Sequence, residues 1–218
     1  MIGPSGAGKT TYVRKFLESP DIYAERVVEF TKSLPGGYLL QNIPLNHAIT
    51  YRMFSCIRDR YEKQFITQFP GLLETTAAII RNSENKSSIL NSILREAAWF
   101  EFFSGYLDPD ETYVIDDGLY QFHLDLLRVE GWNAGNIMDR LPEADKFIYL
   151  DTPAEVCLER QESRSRGRAS KFLGLSRTEA IKELELMRSN SEEFVTEARN
   201  RGIEVEIIHD SGASSQWR

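Results

Sequence analysis

The start of the chain carries a pattern typical of proteins that bind nucleoside triphosphates. Residues 3–10 read Gly-Pro-Ser-Gly-Ala-Gly-Lys-Thr, a glycine followed after four residues by Gly-Lys-Thr. Glycines let the backbone curl until its N–H groups point at phosphate oxygens, and the positive end of the following helix points to the same place. In such a loop Lys9 is expected to reach the β- and γ-phosphates, and the Thr10 hydroxyl is expected to bind Mg²⁺.

The sequence therefore predicts ATP and Mg²⁺ as ligands of this phosphate loop. The alternative is a Gly-rich turn before an ordinary helix, but the four fixed positions match by accident in under about 1% of chains of this length. The residues predicted to bind the nucleotide are Gly3, Pro4, Ser5, Gly6, Ala7, Gly8, Lys9, Thr10 and Thr11. We also expect Lys9 to take part in catalysis.

A second candidate for chemistry is the run Tyr-Val-Ile-Asp-Asp-Gly at residues 113–118. An acid at the carboxyl end of a buried strand can hold Mg²⁺ opposite a phosphate loop, and a neighbouring acid can orient the attacking group. We assign Asp116 to the metal and Asp117 to a catalytic base. An ordinary turn at Asp-Asp-Gly is the alternative, and the presence of the phosphate loop favours the functional interpretation.

A third candidate is a group of arginines at positions 160, 164, 166 and 168, with Lys171 close behind. Arg160, Arg164 and Arg168 are spaced to lie on one side of a helix, or of a helix that runs into a loop at Gly167. Guanidinium groups stabilise the charge that phosphoryl transfer spreads over oxygens, so we predict catalytic roles for these three. The alternative is a solvated face whose arginines pair with Glu155, Glu159 and Glu162.

Alternating strands and helices would have to position these residues. Short runs rich in β-forming residues predict strands at 27–31, 113–116, 146–151 and 203–209, and residues 46–105 show helical periodicity. Apolar residues of that helical region recur at Ile49, Met53, Cys56 or Ile57, Tyr61 and Phe65, and again at Ile89, Ile93, Ala97 and Phe100. The pattern predicts an α/β fold with a mostly parallel sheet.

Local signals predict where three helices begin. Residues 10–18 have the apolar stripe of a helix that leaves the phosphate loop. Residues 152–155 and 176–179 both match the Ser/Thr-x-x-Glu capping box, the first with proline at the first helical position. Only Met1 and Ile2 precede Gly3, fewer than the roughly four to eight residues of a buried strand. We expect the chain to begin late within that strand.

Composition favours one globular domain that spans residues 1–218. The chain is 41% hydrophobic and 27% charged, with a net charge of −7, which argues against general binding to nucleic acids or anionic membranes. Its two cysteines, Cys56 and Cys157, do not form a disulfide framework, so we expect buried thiols and a cytoplasmic location. The three histidines lack metal-ligand spacing. A homodimer is our expectation for the assembly.

Taken in order, these segments resemble the nucleoside and nucleotide kinases, closest to the thymidylate kinases. The resemblance rests on the phosphate loop, on Phe-Thr-Lys-Ser-Leu-Pro-Gly-Gly at 30–37, on Asp116-Asp117-Gly118, and on Tyr-Leu-Asp-Thr-Pro at 149–153 before the arginines. It implies an ATP-dependent kinase with a P-loop NTPase fold and a five-stranded sheet in the order 2-3-1-4-5. It also implies a helical acceptor side at 46–105, an arginine-rich lid at 153–175, and a loop at 209–213 near the adenine.

Two departures from that family leave the phosphoryl acceptor open. The basic residue that follows the middle acid in the family is replaced here by Asp117-Gly118, and residues 46–105 contain no matching motif. A nucleoside, a nucleoside monophosphate and a phosphorylated sugar all stay candidates. Six residues of the helical region have side chains that can stack on a base or bind a phosphate, although ordinary helix packing and surface charge explain the same residues. They are Tyr51, Arg52, Phe54, Arg58, Arg81 and Arg95.

Two other functions share the phosphate loop. A transport ATPase of the ABC type has a similar loop, but the chain contains no Leu-Ser-Gly-Gly-Gln signature. A regulatory nucleotide-binding protein would use ATP to change partners and would need no small acceptor. Turnover that depends on an added acceptor distinguishes the kinase from both.

Overall fold

A computed structural model describes residues 1–9, 11–12, 47–83, 86–105, 118–164, 167, 169 and 172–210, with backbone alone at 47–57 and 103. Two of the four predicted strands, at 27–31 and 113–116, lie outside the described residues, as do Thr10, Asp116, Asp117 and Arg168. Among the described helices, none has the length and apolar character that a membrane span requires.

The described chain has an α/β fold with many helices and a small parallel sheet. Strand β1 (Lys146–Asp151) pairs in parallel with β2 (Glu204–His209), in a register that sets Lys146 opposite Glu204 and Asp151 opposite His209. The prediction of β1 is confirmed at both ends, and β2 begins one residue later than predicted. The predicted five-stranded sheet is not shown by the described residues, in which these two strands form the sheet.

Ile2 lies along the other edge of β1. Its N–H donates to the Ile148 carbonyl at 3.0 Å, and its carbonyl accepts from the Leu150 N–H at 3.1 Å, so it forms a parallel bridge to Tyr149. Ile2 is only 1% exposed. One fully buried residue thus connects the sheet to the phosphate loop, which begins at Gly3.

Alternate residues of β1 pack into two hydrophobic clusters, because successive side chains of a strand point to opposite faces. Phe147 and Tyr149 belong to the larger cluster with Ile2, and Leu150 belongs to a second cluster with Ala7 and Tyr12. The second cluster therefore holds the phosphate loop and the start of its helix against the end of β1.

The helical region consists of α1 (His47–Gln68), α2 (Gly71–Arg81) and α3 (Lys86–Ser104). Helix α1 ends before Pro70, which lacks an N–H and disfavours a helical residue before it. Helices α1 and α3 pack through aromatic side chains, with ring centroids 5.3 Å apart for Tyr61 and Phe102. Of the apolar residues predicted to face the core, Tyr61, Phe65, Ile93 and Ala97 are buried.

Two short helices follow, α4 (Leu119–His123) and α5 (Ala134–Met138), separated by a 3₁₀ helix at Leu124–Arg128. Helix α6 (Ala154–Glu162) comes after β1, and the long helix α7 (Arg177–Asn200) comes before β2. The capping box predicted at the start of α7 is confirmed, because the Ser176 and Glu179 side chains each bond the other residue's backbone N–H.

The capping box predicted for α6 is wrong. The helix begins at Ala154 with Pro153 as its N-cap, and no side chain caps it. The Thr152 hydroxyl instead donates to the Ala7 carbonyl at 3.3 Å. The Thr152 hydroxyl therefore donates to a carbonyl of the phosphate loop, and it does not accept the local backbone N–H that the sequence pattern predicts.

The last residue of α4, His123, is buried against α2. The His123 Nδ1 is 2.6 Å from the Leu119 carbonyl, which can only accept, so Nδ1 carries the proton of the neutral ring. The Thr75 hydroxyl lies 2.9 Å from Nε2 and 3.0 Å from the Leu72 carbonyl. Burial lowers the pKa of His123 to about 4, against a small opposing effect of the bond to Leu119.

We predict that His123 makes the folded protein sensitive to moderate acid. The unfolded chain protonates this histidine near pH 6.5 and the folded protein near pH 4, so the free energy of unfolding should fall as the pH drops between these values. The loss should reach about 3 kcal/mol. Urea unfolding of the wild type and of His123→Asn, measured from pH 7 to 4, checks this prediction. Equal pH slopes for the two proteins would contradict it.

Thr75 and Thr76 provide a second, paired prediction. Both are buried in α2, but the Thr76 hydroxyl has no hydrogen-bond partner in the structure as described. Thr76→Val removes an unsatisfied group and should raise the free energy of unfolding by about 1 kcal/mol, whereas Thr75→Val removes the partner of His123 and should lower it by about 1 kcal/mol. Urea unfolding at pH 7 measures both changes, and two changes of the same sign would contradict the assignment.

Candidate functional site

The phosphate loop is a tight turn at the carboxyl edge of the sheet. The Ala7 N–H donates to the Pro4 carbonyl at 3.1 Å, and the Tyr12 N–H donates to the Gly8 carbonyl at 2.8 Å, so helical structure begins at once. Lys9, Thr11 and Tyr12 are already helical. The loop thus stands at a helix amino terminus, where partial positive charge favours an anion.

Glycine is required at two positions of the loop for two separate reasons. Gly3 and Gly6 have φ values of 144° and 95°, which side chains rarely allow. A Cβ atom at Gly3 would lie 2.8 Å from the Leu150 carbonyl oxygen, and one at Gly6 would lie 2.4 Å from the Cys157 carbonyl oxygen. The loop backbone therefore packs directly on the end of β1 and on α6.

The carbonyl groups of the loop are held by donors from outside it and by Lys9. The Gln161 amide donates to the Ser5 carbonyl at 2.8 Å, and Thr152 donates to the Ala7 carbonyl at 3.3 Å. A trans peptide is planar, with its C=O and N–H pointing in opposite directions. Holding the Ser5 and Ala7 carbonyls in this way turns the N–H groups of the next residues, Gly6 and Gly8, to the opposite side.

Lys9 also contributes to the shape of the loop. Its buried ammonium group donates to the Gly3 carbonyl at 3.0 Å and to the Pro4 carbonyl at 3.3 Å. The Gly3 N–H in turn donates to the Gln121 side chain at 3.2 Å. Replacing Lys9 therefore removes two hydrogen bonds to the loop as well as a positive charge, and a substitution that preserves side-chain volume avoids adding a cavity to these losses.

Arg160 lies against the phosphate loop. Its Nη1 donates to the Ala7 carbonyl at 3.4 Å and forms an ion pair with Asp210 at 2.7 Å. Asp210 is only 6% exposed and follows β2 directly. This arginine links the loop, α6 and the end of β2, so its described contacts are those of a positioning group.

Arg164, the one other described arginine of this group, does not continue the helix. Helix α6 ends at Glu162, and Arg164 lies beyond it in a turn that the Gly167 N–H closes on the Arg164 carbonyl at 2.8 Å. Of the two predicted alternatives, a helix that runs into a loop describes Arg160 and Arg164, and Arg168 lies outside the described residues. Two of the predicted glutamate partners, Glu159 and Glu162, pair with Arg177 at 3.7 and 2.7 Å.

A second charged group surrounds Asp151, the last residue of β1. Asp151 accepts from Arg188 Nε at 2.6 Å and from His209 Nδ1 at 2.9 Å. Partial burial raises the pKa of Asp151, but these two bonds outweigh the burial and hold the pKa below its usual value. Asp151 is therefore ionised at neutral pH and joins β1, α7 and the end of β2.

The remaining candidates from the sequence are Cys157 and the six residues considered for binding the acceptor. Burial raises the pKa of the Cys157 thiol to about 12, so this cysteine is a packing residue rather than a nucleophile. Arg58 bonds the Asn91 side chain at 2.8 Å, and Arg95 pairs with Glu96 at 3.3 Å, so two of the candidate acceptor residues have protein partners. Arg81 is exposed, and the side chains of Tyr51, Arg52 and Phe54 lie outside the described structure.

The structure brings most of the predicted loop together and adds residues that the sequence did not suggest. The described loop residues are Gly3, Pro4, Ser5, Gly6, Ala7, Gly8, Lys9 and Thr11. The residues that the sequence did not suggest are Gln121 and Gln161, while Thr152 and Asp210 come from segments 149–153 and 209–213, to which the family resemblance had already pointed without assigning these contacts. Because every buried backbone carbonyl needs a hydrogen-bond donor, one can expect that some side chains bond the loop carbonyls. The sequence does not say which side chains these are.

The predicted metal ligands Thr10 and Asp116 lie outside the described residues. Within the described ranges, no group of three or more His, Cys, Asp and Glu side chains is arranged to hold a metal ion. Comparisons of the chain with family models, with curated proteins and with solved structures found no match.

We predict that Gly6→Ala disrupts the loop far more than an alanine at another glycine with positive φ. Gly174 has φ 86° with open space around it, so Gly174→Ala should lower the free energy of unfolding by only about 1 kcal/mol. Gly6→Ala adds the overlap with the Cys157 carbonyl and should cost about 3 kcal/mol or more. Urea unfolding compares the two variants, and similar losses would contradict the described packing of the loop.

Proposed function

We propose that this chain is a kinase that transfers the γ-phosphoryl group of Mg²⁺–ATP to a nucleoside or nucleoside monophosphate-like acceptor. The observation that carries the proposal is the orientation of the phosphate loop. Thr152 directly after β1, Gln161 on α6 and Lys9 hold its carbonyl groups, which turns backbone N–H groups to the other side. A polyphosphate is the ligand that several converging N–H groups and a lysine suit best.

The described residues fit a nucleotide in a second way. The Cβ overlaps at Gly3 and Gly6 show that the loop packs on the end of β1 and on α6 too closely for side chains at these positions, so glycines hold the loop in the path that we propose for phosphate binding. Lys9 stands at the start of the helix, where its charge adds to that of the helix amino terminus. We propose that Lys9 stabilises the charge that develops on the phosphoryl oxygens during transfer.

Mg²⁺ has a defined place in this proposal. Thr10 and Asp116 would hold the ion, which supplies positive charge to the β- and γ-phosphate oxygens when it is bound. Asp117 would accept or orient the proton of the acceptor group. Arg164 and Arg168 would contact the transferred group, while the described contacts of Arg160 favour a supporting role for that residue.

For the whole fold we propose the five-stranded order 2-3-1-4-5 of the P-loop kinases, in a single domain with helices at 46–105 on the acceptor side. In that order Ile2 belongs to strand 1, β1 is strand 4 and β2 is strand 5. The neighbour relations of Ile2, β1 and β2 support this half of the order. The cytoplasm, where thiols such as Cys157 stay reduced, is the location we propose.

The decisive experiment measures ADP release from Mg²⁺–ATP with and without added acceptors. Nucleosides, nucleoside monophosphates, sugars and sugar phosphates are tested separately, and we expect rapid release only with a nucleoside or nucleotide. Release that is independent of any acceptor would favour a regulatory ATPase. Release with a sugar alone would keep the kinase and replace the acceptor, whereas failure to bind ATP would overturn the proposal.

We predict that Lys9→Met lowers acceptor-dependent ADP release by on the order of 100-fold or more. Methionine keeps the volume of this buried side chain and removes its charge, so the fold should persist. Lys146→Met is the matched control, because Lys146 begins β1 at the opposite end from the loop and forms exposed ion pairs with Glu204 and Glu206. Steady-state rates and circular dichroism measure both variants, and equal rates would contradict the role of Lys9.

A further inference from the structure

Gln161 is a buried side chain that bridges the phosphate loop and the arginine-rich segment. Its Nε2 donates to the Ser5 carbonyl at 2.8 Å, and its Oε1 accepts from the Ala169 N–H at 3.1 Å. The side chain is fully buried. Its partners fix the orientation of the amide, because the Ser5 carbonyl can only accept and the Ala169 N–H can only donate.

At the loop end, Gln161 controls the direction of one peptide group. The Ser5 carbonyl and the Gly6 N–H belong to the same planar unit, so a donor to the carbonyl also sets the direction of the N–H. The close approach of Gly6 to the Cys157 carbonyl leaves this peptide little room to rotate on that side. An anion that binds the Gly6 N–H would strengthen the Gln161 bond, because both favour the same peptide orientation.

At the other end, Gln161 holds the backbone directly after Arg168. The Ala169 carbonyl accepts from the Phe172 N–H at 2.8 Å, and Phe172 is fully buried beside α6 and α7. The Gly167 N–H bonds the Arg164 carbonyl. The backbone at Gly167 is therefore bonded to Arg164, and the backbone at Ala169 is connected to the phosphate loop through Gln161.

We infer that Gln161 is a positioning residue that couples phosphate binding at the loop to the placement of the arginine-bearing backbone at Ala169. The inference rests on the proposed function, because it takes Mg²⁺–ATP as the ligand of the loop. Coupling of this kind is reciprocal, so a nucleotide that fixes the Ser5–Gly6 peptide also stabilises the Gln161–Ala169 bond. A glutamine that only filled space would show no such response to nucleotide.

Hydrogen exchange at the Ala169 amide tests the coupling in the full-length protein. We expect saturating Mg²⁺–ATP to slow this exchange about tenfold in the wild type, a typical size for coupling between sites. In Gln161→Met, which keeps the volume but loses both hydrogen bonds, ATP should leave the rate of Ala169 unchanged. In the same variant KM for ATP should rise, because the Gly6 N–H loses its fixed direction, and kcat should fall as well, because the backbone at Ala169 loses its connection to the loop.

Thr152→Val is the matched control. It removes a different hydrogen bond to the same loop, at Ala7, from a residue that has no described bond to Ala169. This variant should keep the ATP-dependent protection of Ala169 even if its melting temperature falls. Gln161→Glu serves if Gln161→Met does not fold, because it keeps the acceptor for Ala169 and loses the donor to Ser5; it too should lose the ATP response.

The outcomes of this experiment distinguish a failure of the inferred coupling from a failure of the proposed function. If wild-type protein binds Mg²⁺–ATP and the exchange of Ala169 does not change, the inference is wrong and the proposed function stands. If Gln161→Met or Gln161→Glu keeps the full ATP response, the coupling runs through another contact and Gln161 is only structural. If the wild type does not bind Mg²⁺–ATP at all, the proposed function fails and the inference fails with it.

Discussion

The candidate site depends on the fixed direction of a few loop carbonyl groups. A peptide group that donates to an anion must turn its carbonyl away, and a carbonyl buried without a donor costs about 1 to 3 kcal/mol. Lys9, Thr152, Arg160 and Gln161 supply these donors within the described chain. Three of the four lie within ten residues of one another, directly after β1, so the loop and the β1–α6 unit form one structural element.

Strand β1 is central to this arrangement for a geometric reason. It pairs with Ile2 on one edge and with β2 on the other, so the chain segments that leave all three meet at the carboxyl end of the sheet. Gly3, Thr152 and Asp210 are the first or nearly the first residues beyond these ends. Side chains that are far apart in sequence therefore lie beside the loop, because parallel strands place their carboxyl ends at the same edge of the sheet.

The sequence predicted best the features that local chemistry decides. β1 was predicted at both ends because a continuous apolar run is bounded by the charged residues Lys146 and Asp151, and the capping box at Ser176 formed because both partners lie within one turn. The box at Thr152 did not form, and its hydroxyl donates to the distant Ala7 carbonyl. The arginine spacing left open whether Arg160 and Arg164 share one helix or the helix runs into a loop, since spacing alone does not fix where a helix stops, and α6 ends before Arg164. The contact of Gln161 with Ser5 and the pairing of Asp210 with Arg160 could not be predicted, because the two partners of each contact are more than 45 positions apart in the chain.

The charges around the loop explain how an acidic chain could hold a polyphosphate. The net charge is −7, and exposed charges are screened beyond about 8 to 10 Å at physiological ionic strength, so attraction must come from groups at the site itself. Within the described residues, Asp151 at the end of β1 and Asp210 just after β2 are each paired with an arginine, Arg188 and Arg160 respectively. This pairing reduces the repulsion that these two acids would exert on phosphate. In the proposed function, the positive end of the loop helix and the ammonium group of Lys9 would supply the attraction, so nucleotide binding would depend on the loop and its donors rather than on the overall charge.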